Sequence, residues 1–158
     1  MYIADNEALT TLSGLRNVTS VGDQLLLYGN AQLTSAEGPA SLTSVASYIQ
    51  VLYSGFTNFR LPSLRSAWVI IIGRSGQGNE QLKSIQFPRL GRATSLGLDS
   101  NPVLDTLELP AVRLITDSVY IYFSPALPRC RVNALLKGLS ASPLEVDLYE
   151  LDESTVCQ

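Results

Sequence analysis

Apolar positions along this chain follow two alternating rhythms. Short runs rich in aliphatic, β-branched and aromatic residues recur: Tyr2-Ile3-Ala4, Leu25 to Tyr28, Ile49 to Leu52, Val69 to Ile72, Leu96 to Asp99 and Val119 to Tyr122. This is the composition strands favour. After each run, apolar residues return at roughly every third position, as in Leu9, Leu12, Leu15, Val18 and Val21, or Leu104, Leu107, Leu109, Val112 and Ile115. That spacing alone would suit a helix. However, Pro62, Pro88 and Pro110 interrupt the same region of successive stretches, and Gly14 and Gly38 recur there. Two short extended pieces joined by tight bends are therefore expected in each stretch.

The junctions between the two rhythms repeat as well. Asn6-Glu7-Ala8-Leu9, Asn30-Ala31-Gln32-Leu33, Asn79-Glu80-Gln81-Leu82 and Asn101-Pro102-Val103-Leu104 share an Asn followed three positions later by Leu. Ser124-Pro125-Ala126-Leu127 is a copy with Ser in place of Asn, and Ser54-Gly55-Phe56 is a shortened one. The period is about 24 residues, which marks a repeat architecture. No repeat of this size buries its apolar side alone, so the coils must stack at the sheet spacing of about 4.8 Å. At a corner between extended segments, Asn tolerates left-handed dihedrals and its amide bonds neighbouring backbone. Asn6, Asn30, Asn79 and Asn101 are accordingly read as a structural ladder, in preference to a row of ligands or catalytic amides.

The end of the chain departs from the repeat. Val132, Leu135, Leu136 and Leu139 have helical spacing and predict a short helix over the open end of the core. Leu144, Val146 and Leu148 alternate with Glu145 and Asp147 and predict a last strand. The expected organisation is one unit over 1–158, with coils over 1–130 and a C-terminal helical cap and last strand over 131–158. The two cysteines, Cys130 and Cys157, flank this helical segment. They are read as a disulfide formed in an oxidising compartment, the alternative being two unrelated buried thiols.

Strand alternation assigns faces. Counting back from the corner, Ile3, Leu25, Leu27, Ile49, Val51, Leu96, Leu98, Val119 and Ile121 point inward. The outward set is then Tyr2, Leu26, Tyr28, Gln50, Leu52, Ile70, Ile72, Asp99, Tyr120 and Tyr122. An ordinary exposed sheet face carries Thr, Lys, Glu and Ser. Aromatic and aliphatic groups over most of its width mark an interaction surface instead.

Composition narrows the function. At 46% hydrophobic and 16% charged, the 158 residues are too apolar for disorder. A net charge of −3 and a pI near 4.8, with no basic run, argue against nucleic acid as partner. No apolar stretch approaches the roughly 20 residues of a membrane span, the longest being Ala67 to Ile72. No secretion signal opens the sequence, which begins inside the first coil and is expected to be a piece of a longer precursor. Histidine is absent, which removes His-activated nucleophiles and the usual zinc constellations. Gly73 to Asn79 lacks the ending of a phosphate loop and reads as a long turn at the fourth corner. Asn17-Val18-Thr19 fits a glycosylation acceptor, a triplet that also arises by chance. Asp99, Asp105 and Glu108 share one coil, but a glycosidase needs two carboxyls converging within roughly 5–10 Å. The acidic residues from Glu145 to Glu153 read as a solvated face. Neither enzymatic activity nor a metal or other cofactor is expected.

Taken together, strand, Asn, Leu-rich turn and the segments Leu42-Thr43-Ser44-Val45 and Phe87-Pro88-Arg89-Leu90 resemble the receptor L domain family. The ending Ser124-Pro125-Ala126-Leu127-Pro128-Arg129-Cys130, a helix, then Cys157 is similar to the bacterial surface-protein versions in particular. The resemblance spans nearly the whole chain. It implies a mainly β fold, a right-handed parallel β-helix of about six coils related in appearance to leucine-rich repeats. It also implies an extracellular or cell-surface recognition module that binds a protein or glycan through its outward strand face. Domains of this family have a capped N-terminal end, which this sequence does not show. The second reading is a structural or self-associating surface protein, and the third a polysaccharide-acting β-helix enzyme.

Overall fold

The computed structural model describes residues 1–34 and 38–157. The chain forms β1 (Tyr2–Ala4), a 3-10 turn (Ser13–Leu15), β2 (Ser20–Val21), β3 (Leu25–Tyr28), β4 (Ser44–Leu52), β5 (Asn58–Arg60) and β6 (Ser66–Ile72). It continues through β7 (Ser84–Gln86), β8 (Arg92–Asp99), β9 (Thr106–Glu108), β10 (Leu114–Tyr122) and β11 (Ser124–Pro128). The helix α1 (Arg129–Lys137) follows, then β12 (Glu145–Leu148) and β13 (Leu151–Asp152).

Every strand pair in the described residues is parallel. The long sheet runs β1-β3-β4-β6-β8-β10-β12, with β2 also paired to β4. A second sheet, β5-β7-β9, lines another side of the middle coils, and β11-β13 form a short pair. Each circuit of the chain returns one strand further along the long sheet. The result is a β-solenoid of about six turns with one short helix near its C-terminal end.

Alternation fills the interior. Leu25, Ile49, Ile70, Leu96 and Val119 form one inward row, and Leu27, Val51, Ile72, Leu98 and Ile121 the next, all fully or almost fully buried. Each such aliphatic side chain contributes roughly 1.5–3 kcal/mol by leaving water. From the middle coils Phe56, Phe59 and Phe87 close the interior, with ring centroids 5.2 and 5.6 Å apart. At the C-terminal end α1 buries Val132 completely and packs Leu135 and Leu136 on the core, with Leu139 just beyond it. Cys130 and Cys157 are joined by a disulfide across that end, with Cα atoms 5.8 Å apart.

Two expectations need correction. Ile70 and Ile72 are not outward: both are fully buried, because Ile72 pairs with inward Val51 and Ile70 with inward Ile49. Gly73 leaves the strand in the left-handed region at φ +77° and opens the loop to Gly78. Counting back from Asn79 across that loop therefore slips the phase by one residue, and one residue is enough to exchange the faces. The left-handed residue at the corners is also not the Asn. It is the residue before it: Asp5, Gly29, Ser100 and, ahead of the serines, Tyr53 and Phe123.

Asn30, Asn79 and Asn101 turn inward and are fully buried, Asn79 without a left-handed residue before it, while Asn6 in the first coil is exposed. The Asn6 and Asn79 amide groups donate to Oδ1 of Asn30 and Asn101 at 3.1 Å, and their backbone N–H groups donate to the same oxygens at 3.2 and 3.3 Å. Asn30 Nδ2 donates to the Ile3 carbonyl at 2.9 Å, and Asn101 Nδ2 to that of Ile72 at 2.8 Å. Ser54 interrupts the column; its backbone N–H donates to Asn79 Oδ1 at 3.1 Å. Backbone groups that a corner would leave unpaired are thus satisfied by the side chain of the next coil.

Candidate binding face

Strand register defines the outer face row by row. One row runs Tyr2, Leu26, Gln50, Ile71, Gly97, Tyr120 and Asp147. The next runs Ala4, Tyr28 and Leu52, then Asp99 and Tyr122. A third holds Tyr48, Val69, Ser95, Ser118 and Glu145. Tyr2, Leu26, Tyr28, Gln50, Tyr120 and Tyr122 therefore share the outer side of one sheet. Ile71 and Val69 take the places expected for Ile70 and Ile72.

Two other residues of the expected face offer little surface. Leu52, though in an outer row, is only 5% exposed, between Tyr28 on one neighbouring strand and the loop that opens at Gly73 on the other. Asp99 is 6% exposed because its carboxylate holds that loop: it accepts from the Ser75 backbone N–H at 2.7 Å and from the Ser100 hydroxyl at 2.8 Å. Asp99 is thus a loop anchor. Asp105 accepts from Thr106 at 2.6 Å, while Glu108, on β9 in the other sheet, accepts from Gln86 at 3.0 Å.

The aromatic groups are organised in pairs. Tyr120 and Tyr122 stack at a centroid distance of 5.7 Å and 30° between planes. Tyr120 lies flat across Gly97, where an added Cβ would fall 2.0 Å from Tyr120 Cζ; only glycine leaves room for the ring against the sheet. Burial raises the pKa of the Tyr120 phenol, the Arg74 charge opposing and the Asp99 charge adding to the shift. The Tyr122 hydroxyl donates to Asp147 Oδ2 at 2.7 Å, and this bond is the main reason its pKa is pushed up to about 12. Two edge-to-face pairs stand at the corner side of the face, Tyr28–Tyr53 at 5.7 Å and Phe123–Tyr149 at 5.6 Å.

Tyr48, Tyr53, Trp68, Phe123 and Tyr149 are large exposed groups beyond the expected set, Trp68 being 56% exposed. Tyr53 and Phe123 occupy left-handed corners at φ 48° and 47°, where a sister coil uses Gly29. A side chain there costs about 1–3 kcal/mol, so a large exposed ring at such a corner is retained against local stability. Their positions were readable: each directly precedes the Ser that replaces Asn. Tyr48 and Trp68 were not, because the strands begin earlier than their apolar runs and bulge. Two residues of β4, Ala46 and Ser47, stand opposite Trp68 alone.

Comparison with family models, with curated proteins and with solved structures finds no match. The functional reading therefore rests on the fold and on this face.

Proposed function

We propose that this chain is an extracellular or cell-surface recognition module of the receptor L domain type, which engages a protein or glycan partner through the outer rows of its long sheet. The observation that carries the reading is the aromatic surface: Tyr2 at 66%, Trp68 at 56%, Tyr48 and Tyr53 are exposed, and Tyr28, Tyr120 and Tyr122 lie half-buried among the outer rows. Tyr and Trp are the residues that binding sites concentrate, since they bring large contact area at small entropic cost. The disulfide supports an oxidising compartment. Among the described residues no helix is long and apolar enough to cross a membrane.

The test is a pair of arrays, one of glycans and one of secreted or surface protein ectodomains, probed with the chain and with Tyr28→Ala/Tyr122→Ala. Binding that weakens at least tenfold in the double variant, with the fold retained by circular dichroism, supports the assignment. Binding indifferent to both substitutions places recognition elsewhere.

A further inference from the structure

Three successive coils pass from the second sheet back to the long sheet through the same six-residue corner: Leu61 to Ser66, Phe87 to Arg92 and Leu109 to Leu114. Pro62, Pro88 and Pro110 stand at its second position, and Leu64, Leu90 and Val112 at its fourth are buried. One corner seats on the next: the Gly91 N–H donates to the Arg65 carbonyl at 2.9 Å, and the Arg113 N–H to that of Gly91 at 3.0 Å. The corners therefore repeat at the sheet spacing of about 4.8 Å. They lead into β6, β8 and β10, each of which has a strand on both sides.

What these corners share at their surface is positive charge. Arg65, Arg89, Arg92 and Arg113 are all exposed, and the three corners contain no Asp or Glu. The chain as a whole is acidic, at net charge −3, yet four of its 11 Lys and Arg residues gather at this one edge. Like charges on adjacent strands are destabilising, and no ion pair relieves that cost here. The one ion pair among the described residues joins Arg129 to Glu153. Of the four arginines, Arg113 alone donates a side-chain hydrogen bond to a described residue, reaching the Pro110 and Val112 carbonyls at 3.0 and 2.7 Å. The carboxylates nearest the third corner in sequence, Glu108 and Asp117, accept from Gln86 and Ser95 at 3.0 and 2.9 Å.

The basic stripe meets an aromatic ring. Arg92 pairs with Ser66 on the neighbouring strand. Ala67 and Ala93, which follow them, are buried, so Arg92 points outward, and beyond Ala67 the Trp68 ring is exposed as well. Trp68 thus stands one strand over from Arg92 and two residues along, about 7 Å in the strand direction.

We propose that this corner binds an acidic glycan, a linear chain of uronic acid residues laid along the solenoid axis. Each ring of such a chain carries one carboxylate and is about as long as one coil is thick, so successive carboxylates meet successive corners. A guanidinium takes a carboxylate through two parallel N–H donors. The apolar C–H face of one sugar ring rests on Trp68. An extended acidic peptide fits less well, because its same-side carboxylates stand about 7 Å apart, out of step with the corners. A single-stranded nucleic acid calls for a row of stacking rings, and one ring borders the stripe. The site shares Trp68 with the recognition face and otherwise stands apart from it, at the opposite end of the strands from Tyr28 and Tyr122.

The probes are hexagalacturonate and, as the neutral comparison, cellohexaose, each titrated into the 158-residue chain by calorimetry at low salt. Hexagalacturonate should bind saturably and cellohexaose at least tenfold more weakly, the acidic affinity falling as salt rises. Arg65→Gln/Arg92→Gln should lower that affinity at least tenfold with the circular dichroism of the parent, since neither side chain is buried or bonded. Trp68→Ala should weaken it too. Arg60→Gln/Lys83→Gln removes the same charge at β5 and just before β7, and should change the affinity less than twofold. The proposal is overturned by absence of hexagalacturonate binding, by equal affinity for cellohexaose, or by an equal loss in the Arg60/Lys83 variant. Tighter binding of a polyglutamate peptide or of a single-stranded oligonucleotide overturns it as well. Tyr28 and Tyr122 take no part, so this corner and the recognition face can each fail while the other holds.

Discussion

The hydrogen bond between Tyr122 and Asp147 ties two neighbouring strands across the aromatic face. The phenol titrates higher in the folded chain than its ordinary 10.0, at about 12, so the bond's contribution is fully present below the ordinary value and lost as pH rises through about 12. An alkaline titration followed by tyrosinate absorbance should show this late phenol, and Asp147→Asn should bring it back toward its ordinary value. Asp152 behaves in the opposite sense. Hydrogen bonds from Ser154 and Thr155 lower its carboxyl from 3.8 to about 2, so what it contributes persists above its ordinary value and fades as pH falls through about 2. Gly97 tests the geometry of the ring above it. Gly97→Ala must displace the far end of the Tyr120 side chain, a flexible group. The near-ultraviolet circular dichroism should change while stability shifts by no more than about 1 kcal/mol, since alanine also offsets glycine's backbone entropy. Tyr53→Gly should raise stability or leave it unchanged, within about 1 kcal/mol, by relieving the left-handed corner.

Along a strand, one residue decides between core and surface. Ile72→Ala should cost about 2–5 kcal/mol through lost burial and an unfilled cavity, and Val51→Ala about 1–3 kcal/mol. Tyr28→Ala should cost less, about 1 kcal/mol, through the lost pair with Tyr53 and the uncovering of Leu52. The solenoid, its core rows and the terminal helix were legible in the sequence because the repeat states the same pattern several times. The outer face was legible wherever a strand runs straight into its corner, as at Leu25 to Asn30 and Val119 to Ser124. It failed in the fourth coil because Gly73 to Gly78 separates the strand from its Asn, and periodicity carries no information about loop length. Nor does a pattern of apolar residues announce that Asp99, on an outer row, spends its carboxylate on the Ser75 backbone, or that Ala46 and Ser47 share one partner. Those are matters of tertiary hydrogen bonding and bulge geometry.

For the molecule as a whole, the disulfide closes a sequence separation of 27 residues around the cap. Cys157→Ser should lower stability by about 2–4 kcal/mol, as measured by denaturant unfolding, and free β13 before the coils are affected. Amide exchange should then be fastest at β1 and slowest in β6, β8 and β10, since a coil in a linear stack is held by its two neighbours and β1 has a strand on one side only. The same asymmetry bears on the order in which the chain acquires its structure. Synthesis reaches the capped side last, so α1 and Cys157 emerge after the coils they stabilise. The coils leave the ribosome before the element that seals the C-terminal side of the stack, and that side closes only when the last-made segment arrives. A nascent chain halted before Arg129 should therefore leave its last coil open to protease, whereas one extended past Cys157 should protect it.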